Sequence, residues 1–488
     1  MNQTDSTLPT SPPSAAAAAA APKRQLTLFD STCIIVGIII GAGIYETTPL
    51  IASNVPGPLG LIGVWVLGGV LSLVGALCYV ELANMYPEQG GDYVYLNRAF
   101  GRPVGFVFAW AQLWVVRPGS IGAMAFIFAR YANVLWPLDQ WMPALGGAES
   151  TQVARIVYAV AAVAVLSAIN VLGVPMGKWT QNLLTTVKVL GLGAVVVVGL
   201  LFASPPVPPV PAAPRTGSLD FGLAMIFVLF AYGGWNEMAY VGAEVRDPRR
   251  NILRALLLGT VAVGVCYILI SLAFLNSLGF EGVCNPQKGV AADVLRQGLG
   301  DWAQRAISLL ICISALGAIN GQIFTGARIY YAMGKEHQLF ARLGRWSPRL
   351  GTPVWSLLIQ AVITLALVVG FGLAKSGKDP NATGFDSMVI FTTPVFWIFM
   401  VLVGLSLFQL RDLVPNAARP YRVFFYPFTP FILCVSSLFM AYRGVMWAYN
   451  QRSYEAYWAI GLVVVGLLMC IYDPKPTAEP PRPNEPSG

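Results

Sequence analysis

The side chains best able to do chemistry are few in this 488-residue chain, and most stand in apolar surroundings. The single histidine, His337, has no neighbouring nucleophile or metal-ligand cluster in sequence, so a covalent or metal-assisted reaction lacks its machinery, and no cofactor is expected. Of seven cysteines, Cys33, Cys78, Cys266, Cys312, Cys434 and Cys470 fall inside apolar runs and Cys284 in a loop, with neither zinc spacing nor a disulfide framework. What stands out instead is backbone. Gly37-Ile-Ile-Ile-Gly41-Ala-Gly43-Ile-Tyr places three glycines in one apolar run, and Phe230-Ala-Tyr-Gly233-Gly234-Trp-Asn236 interrupts another. A glycine costs ~1 kcal/mol in a helix interior relative to alanine. Close packing explains the Gly37/Gly41 spacing on its own, but not two interruptions in corresponding positions.

Unwinding a helix in hydrocarbon strands backbone donors and acceptors, which is tolerated where the backbone lines a cavity or binds something. The second half of the first broken helix would begin with free N–H groups at Ala42, Gly43 and Ile44, a partial positive charge suited to a carboxylate. Free carbonyls at Ile39, Ile40, Phe230 and Ala231 would suit an ammonium. With Gly41, Gly233 and Gly234 supplying the space, the expected ligand is a zwitterion with both charges on neighbouring atoms, an amino acid.

Four charges lie in or beside apolar runs. Lys188, in Thr185-Thr-Val-Lys-Val-Leu-Gly, carries a cost of at least ~2.5–3.5 kcal/mol at a bilayer centre, so a functional role outweighs snorkelling to the interface. Arg117 precedes Pro118, which removes a backbone hydrogen bond, and a bracing role for the guanidinium is the preferred reading. Glu46 and Glu237 follow the two breaks. Glu237 is free to pair with Arg117 or Lys188, to meet a cationic substrate, or to face water in an inner vestibule; the last is preferred.

The elements that must hold these residues follow from composition. The chain is 56% hydrophobic and 11% charged, with a mean hydropathy of +0.64, so the lipid bilayer is its solvent. Apolar stretches long enough to cross lie near 28–53, 59–84, 103–136, 153–173, 182–203, 220–245, 253–278, 302–333, 354–374, 385–411, 423–447 and 454–472. This predicts an all-α polytopic membrane protein of twelve transmembrane helices. Continuous rather than alternating apolar runs exclude a β-barrel. The formal net charge of +8 resides in short loops between spans, densest at Arg246–Arg254 and Lys335–Arg349, and so reflects topology and not nucleic acid. The bias places both termini in the cytoplasm, with residues 1–27 and 474–488 as disordered tails. No filter repeat or charge ring suggests a channel.

At the glycine breaks the chain resembles the amino acid-polyamine-organocation superfamily, and within it the L-type amino acid transporters. The likeness runs from about Leu28 to Tyr472 and is carried by Gly41-Ala-Gly-Ile-Tyr, Tyr79-Val-Glu-Leu with Gly90-Gly-Asp-Tyr-Val-Tyr-Leu, Arg117-Pro118, Phe230-Ala-Tyr-Gly-Gly-Trp-Asn, Asp247-Pro-Arg-Arg-Asn and Gly351-Thr-Pro. It implies a five-plus-five inverted repeat with broken helices one and six (28–411), two further helices (412–473), and sodium-independent exchange by alternating access at the cell membrane. It implies Phe230 as the aromatic that closes over substrate, Asn236 as a steadying polar group, Trp397 in the distal pocket, and Lys188 where sodium-coupled relatives hold a cation between spans one and eight. Glu46 and Glu237 stand where the family more often has neutral residues. Many animal members join a glycoprotein subunit through a cysteine between spans three and four; Trp136–Thr151 has none, so no disulfide-linked partner is expected. The runner-up readings are a proton-coupled symporter using Lys188, Glu46 or Glu237, and a non-transporting amino acid sensor.

Overall fold

A computed structural model describes residues 24–141, 147–201, 219–286, 289–373, 384–450 and 454–473. The expected tails, apart from Arg24–Thr27, lie outside these residues, as does 142–146 in the segment between spans three and four.

The chain is helical throughout the described residues, and its first helix shows why. Thr27 caps α1 (Leu28–Ile39): its Oγ accepts from the Asp30 N–H at 3.2 Å, while the Asp30 carboxylate accepts from the Thr27 N–H at 2.9 Å, satisfying two donors the helix leaves unpaired. The helix stops at Ile39. α2 (Gly43–Ser53) resumes at an angle of 44°. The remaining elements are α3 (Gly57–Met85), α4 (Asp92–Phe100), α5 (Arg102–Ala111) joined by a π-helical turn (Gln112–Val116) to α6 (Arg117–Leu135), α7 (Gly147–Val171), α8 (Val174–Leu201), α9 (Phe221–Ala231), α10 (Glu237–Tyr240), α11 (Pro248–Cys284), α12 (Val290–Leu299), α13 (Ala303–Glu336), α14 (Val354–Leu373), α15 (Gly384–Leu413), α16 (Phe428–Asn450) and α17 (Glu455–Ile471).

Among the described residues nine helices are long and apolar enough to cross a membrane, and the bent pair α1–α2 makes ten; α9 and α17 are apolar but shorter. Large apolar side chains such as Val165, Leu183 and Leu190 are exposed on the outside of the bundle, where only hydrocarbon can solvate them without cost. The protein is therefore a multi-pass membrane protein.

The two described ends of the chain reach the same face. The N–H groups of Gln25 and Leu26 donate to the Glu244 carbonyl at 2.8 and 2.9 Å, and the Arg246 N–H returns to the Leu26 carbonyl at 2.9 Å. This two-way backbone clasp ties the start of α1 to the segment after α10. Glu244 pairs in turn with Arg328 of α13 at 2.8 Å, and where α13 ends His337 meets Asp473, just past α17, at 2.6 Å. Arg102 holds Asp473 from a third side at 2.6 Å.

One expectation changes. Cys284 is the last residue of α11 and not a loop residue, because the helix runs on beyond a kink at Gly279, whose φ of 67° suits a residue without a side chain. Ahead of Pro118 the backbone runs through the π-helical turn, and Arg117 reaches the side chains of Gln112 and Glu237.

Candidate functional site

The two interruptions face each other. α1 ends at Ile39 and α2 starts at Gly43; α9 ends at Ala231 and α10 starts at Glu237. A Cβ built on Gly43 would lie 3.4 Å from Cα and Cβ of Ala231, so the backbones are in contact there. At Gly234 φ is +116° and a Cβ would fall 2.6 Å from Ile38, which only glycine avoids. Between the breaks lies a cavity of about 120 Å³.

Ile39, Gly41, Gly43, Phe230, Ala231, Gly233, Gly234, Asn236 and Trp397 line this cavity, as do Arg117 and Glu237. Ile40, Ala42 and Ile44 are fully buried and stand behind the lining residues Ile39, Gly41 and Gly43. The Tyr45 N–H is the first of α2 to find an acceptor, the Ala42 carbonyl at 3.1 Å. The N–H groups of Ala42, Gly43 and Ile44 are therefore left without helical partners, as the start of any α-helix requires.

The carbonyls expected to be free are engaged. The Tyr267 hydroxyl of α11 donates to both Ile39 and Ala231, 2.9 Å from each oxygen. Ser314 of α13 donates to Ile40 at 3.0 Å and Gly41 at 3.1 Å. The Phe230 carbonyl accepts from the Gly233 N–H at 3.1 Å. A carbonyl away from water must be satisfied; Ile40 and Ala231 keep a second lone pair, whereas Ile39 also accepts from the Gly41 N–H at 2.7 Å and Phe230 also from the Tyr232 N–H. Tyr267 and Ser314 were not singled out from sequence; their one signal is a polar group in an apolar span.

The charges separate into three places. Lys188 is fully buried outside the cavity and donates to the Gly37 carbonyl at 2.7 Å; a Cβ on Gly317 of α13 would come within 3.0 Å of its Nζ, so the ammonium lies between α1 and α13. Glu46 pairs with Arg130 and accepts from Tyr131. It lines a second cavity and not the one between the breaks, because three residues of helix carry it about 4.5 Å along α2 from Gly43, where Arg130 and Tyr131 hold it. Glu237 is paired rather than merely hydrated. Its Oε2 accepts from Arg117 Nη1 at 2.7 Å and from the Thr325 hydroxyl at 2.6 Å. Arg117 also donates to Gln112 at 3.2 Å and lies 4.8 Å from the Tyr240 ring, so it braces α6 against α10 and α13. Asn236 donates to the Tyr240 hydroxyl at 3.1 Å, which donates to Asp92 at 2.6 Å. Phe230 meets Phe385 edge-on at 5.8 Å, and Trp397 meets Phe396 edge-on at 5.1 Å. Gln322 of α13 also lines the cavity, and its side-chain oxygen has no partner.

A membrane-crossing bundle with a cavity where two helix interruptions face each other fits a polytopic transport protein. Similarity to known proteins narrows the class. The amino acid permease profile matches residues 26–469, and the chain belongs to this family, within the amino acid-polyamine-organocation superfamily and its L-type branch. It is 27% identical over 454 residues to the b(0,+)-type amino acid transporter 1 of Mus musculus, covering 91% of this chain and 87% of the relative. To the serine/threonine exchanger SteT of Bacillus subtilis (strain 168) it is 28% identical over 427 residues, 86% of this chain and 90% of the relative. To the large neutral amino acids transporter small subunit 2 of Mus musculus it is 29% identical over 375 residues, 74% of this chain and 68% of the relative. The protein is thus a membrane amino acid transporter and not an enzyme.

Proposed function

We propose that this protein exchanges neutral L-amino acids across the cell membrane by alternating access, without sodium. The facing of two helix breaks across one cavity carries the reading. The substrate carboxylate then lies at the N–H groups of Ala42, Gly43 and Ile44, where the α2 dipole favours it. Its ammonium takes the second lone pairs of the carbonyls at Ile40 and Ala231, with Gly41, Gly233 and Gly234 giving room, Asn236 steadying the second break, and Phe230 and Trp397 enclosing the side chain.

The ten crossing elements become twelve spans when α9 with α10 is counted as a second broken helix and α17 as a short crossing. The spans through residue 411 then form the five-plus-five repeat, with 412–473 adding two. Both chain ends reaching one face agrees with an even number, and the basic loops put that face in the cytoplasm. The names of two relatives, a serine/threonine exchanger and a large neutral amino acids transporter, support exchange and neutral substrates. Lys188 between α1 and α13 supplies a fixed cation where an ion would otherwise be needed. No disulfide-linked subunit is part of this reading, since Trp136–Thr151 lacks cysteine.

Purified protein in liposomes loaded with unlabelled amino acid tests it. Labelled neutral amino acids should accumulate by counterflow equally in sodium and choline buffers, and methyl esters or N-acyl derivatives should not compete. Binding without counterflow would identify a sensor, and counterflow that needs sodium or a proton gradient would overturn the coupling mode.

A further inference from the structure

The buried pair Arg117–Glu237 lines the cavity, yet each member spends only part of its bonding capacity on protein. Both hydrogen bonds to Glu237 end on Oε2. Arg117 uses Nε on Gln112 and Nη1 on Glu237 and Thr325. Glu237 Oε1 and Arg117 Nη2 therefore have no partner among the described residues, and both side chains border the space between the helix breaks. A pure brace would have no need to present either edge to a cavity.

We propose that this pair sets the charge selectivity of the substrate site: with both members present the wall is neutral and takes amino acids with uncharged side chains, and removing either turns the survivor into a counter-ion for a charged one. The proposal rests on the function proposed above and names how that site discriminates. Its physical basis is the cost of a buried charge without a partner, which an oppositely charged substrate side chain relieves and a neutral one does not. The geometry favours survival of each partner in place. Arg117 without Glu237 keeps Gln112, Thr325 and the Tyr240 ring, and Glu237 without Arg117 keeps Thr325. Thr325 is itself fixed by its bond to the Gly321 carbonyl at 2.9 Å.

The test is counterflow of serine, aspartate and 2,4-diaminobutyrate, probes small enough for the cavity, in liposomes holding wild type, Glu237→Gln, Arg117→Gln or the double variant. Wild type should favour serine. Glu237→Gln should raise the aspartate-to-serine ratio by ~10-fold or more, and Arg117→Gln the diaminobutyrate-to-serine ratio likewise, the scale of gaining one buried counter-charge. The double variant has a neutral wall and should return to serine. Active single variants with unchanged ranking overturn the proposal. If a single variant does not purify as a monodisperse protein, the double decides: serine preference supports the proposal, whereas a monodisperse double that admits a charged probe or carries nothing overturns it. Wild type carrying none of a wider amino acid panel would instead overturn the proposed function itself.

Discussion

The ammonium of Lys188 donates to the carbonyl of Gly37 at 2.7 Å, one turn before the first helix break, and has no carboxylate partner among the described residues. A charge so placed is costly, and what it satisfies is a backbone acceptor on the helix whose end forms the cavity. Lys188→Met should leave that acceptor unpaired, costing ~1–3 kcal/mol, and lower exchange at least ~10-fold in protein that still inserts and purifies. Counterflow at wild-type rate in Lys188→Met would show the lysine to be only a packing residue.

Among the described residues Tyr267 is the one side chain that bonds both breaks. Tyr267→Phe keeps the ring and removes the hydroxyl between the Ile39 and Ala231 carbonyls, leaving Ala231 short of its donor and Ile39 with the Gly41 N–H alone. Thermal denaturation in detergent should show a loss of roughly 1–3 kcal/mol, with slower exchange. A variant as stable as wild type would mean that other donors take over.

Gly43 discriminates between space and flexibility. Its Cβ position lies at ordinary contact distance from Ala231, so Gly43→Ala should insert and exchange at a reduced rate. Gly43→Val adds two further methyl groups beside the cavity that Gly43 lines and, by taking substrate space, should abolish exchange while leaving expression in the membrane intact. Equal activity of the two variants would place the substrate elsewhere.

The His337–Asp473 contact gives a pH dependence. Burial holds the imidazole below its ordinary value of 6.5, against the opposing pull of Asp473. The unfolded chain then binds this proton at a higher pH than the folded one, so the contribution is fully favourable above 6.5 and stability falls as pH drops through that value. The melting temperature in detergent should decline across that interval, and His337→Asn should flatten the decline. An unchanged slope would assign the effect to other groups.

The crossing helices were legible because lipid demands long continuous apolar runs, and the breaks were legible because glycine clusters are expensive inside them. The short helices α4 and α12 were not, since nine or ten amphipathic residues between spans vanish in a window sized for a membrane. Pairing of Glu237 with Arg117 was one of several open options but not the preferred one, because it spans 120 positions and nothing in local pattern selects it. The carbonyls at Ile39, Ile40 and Ala231 were misread as free because their donors, Tyr267 and Ser314, each look like an isolated polar residue in a core helix.

The clasp between Gln25–Leu26 and Glu244–Arg246 is made entirely of main chain. It joins the arm leading into one break to the segment that follows the other, a direct mechanical link between them. Because no side chain specifies it, the linkage tolerates drift in residue identity at these positions but not a change in chain length. Trimming the chain as far as Arg24 should keep every bond of the clasp, whereas cutting past Leu26 should uncouple the two arms, read as uptake that no longer depends on amino acid inside the liposome.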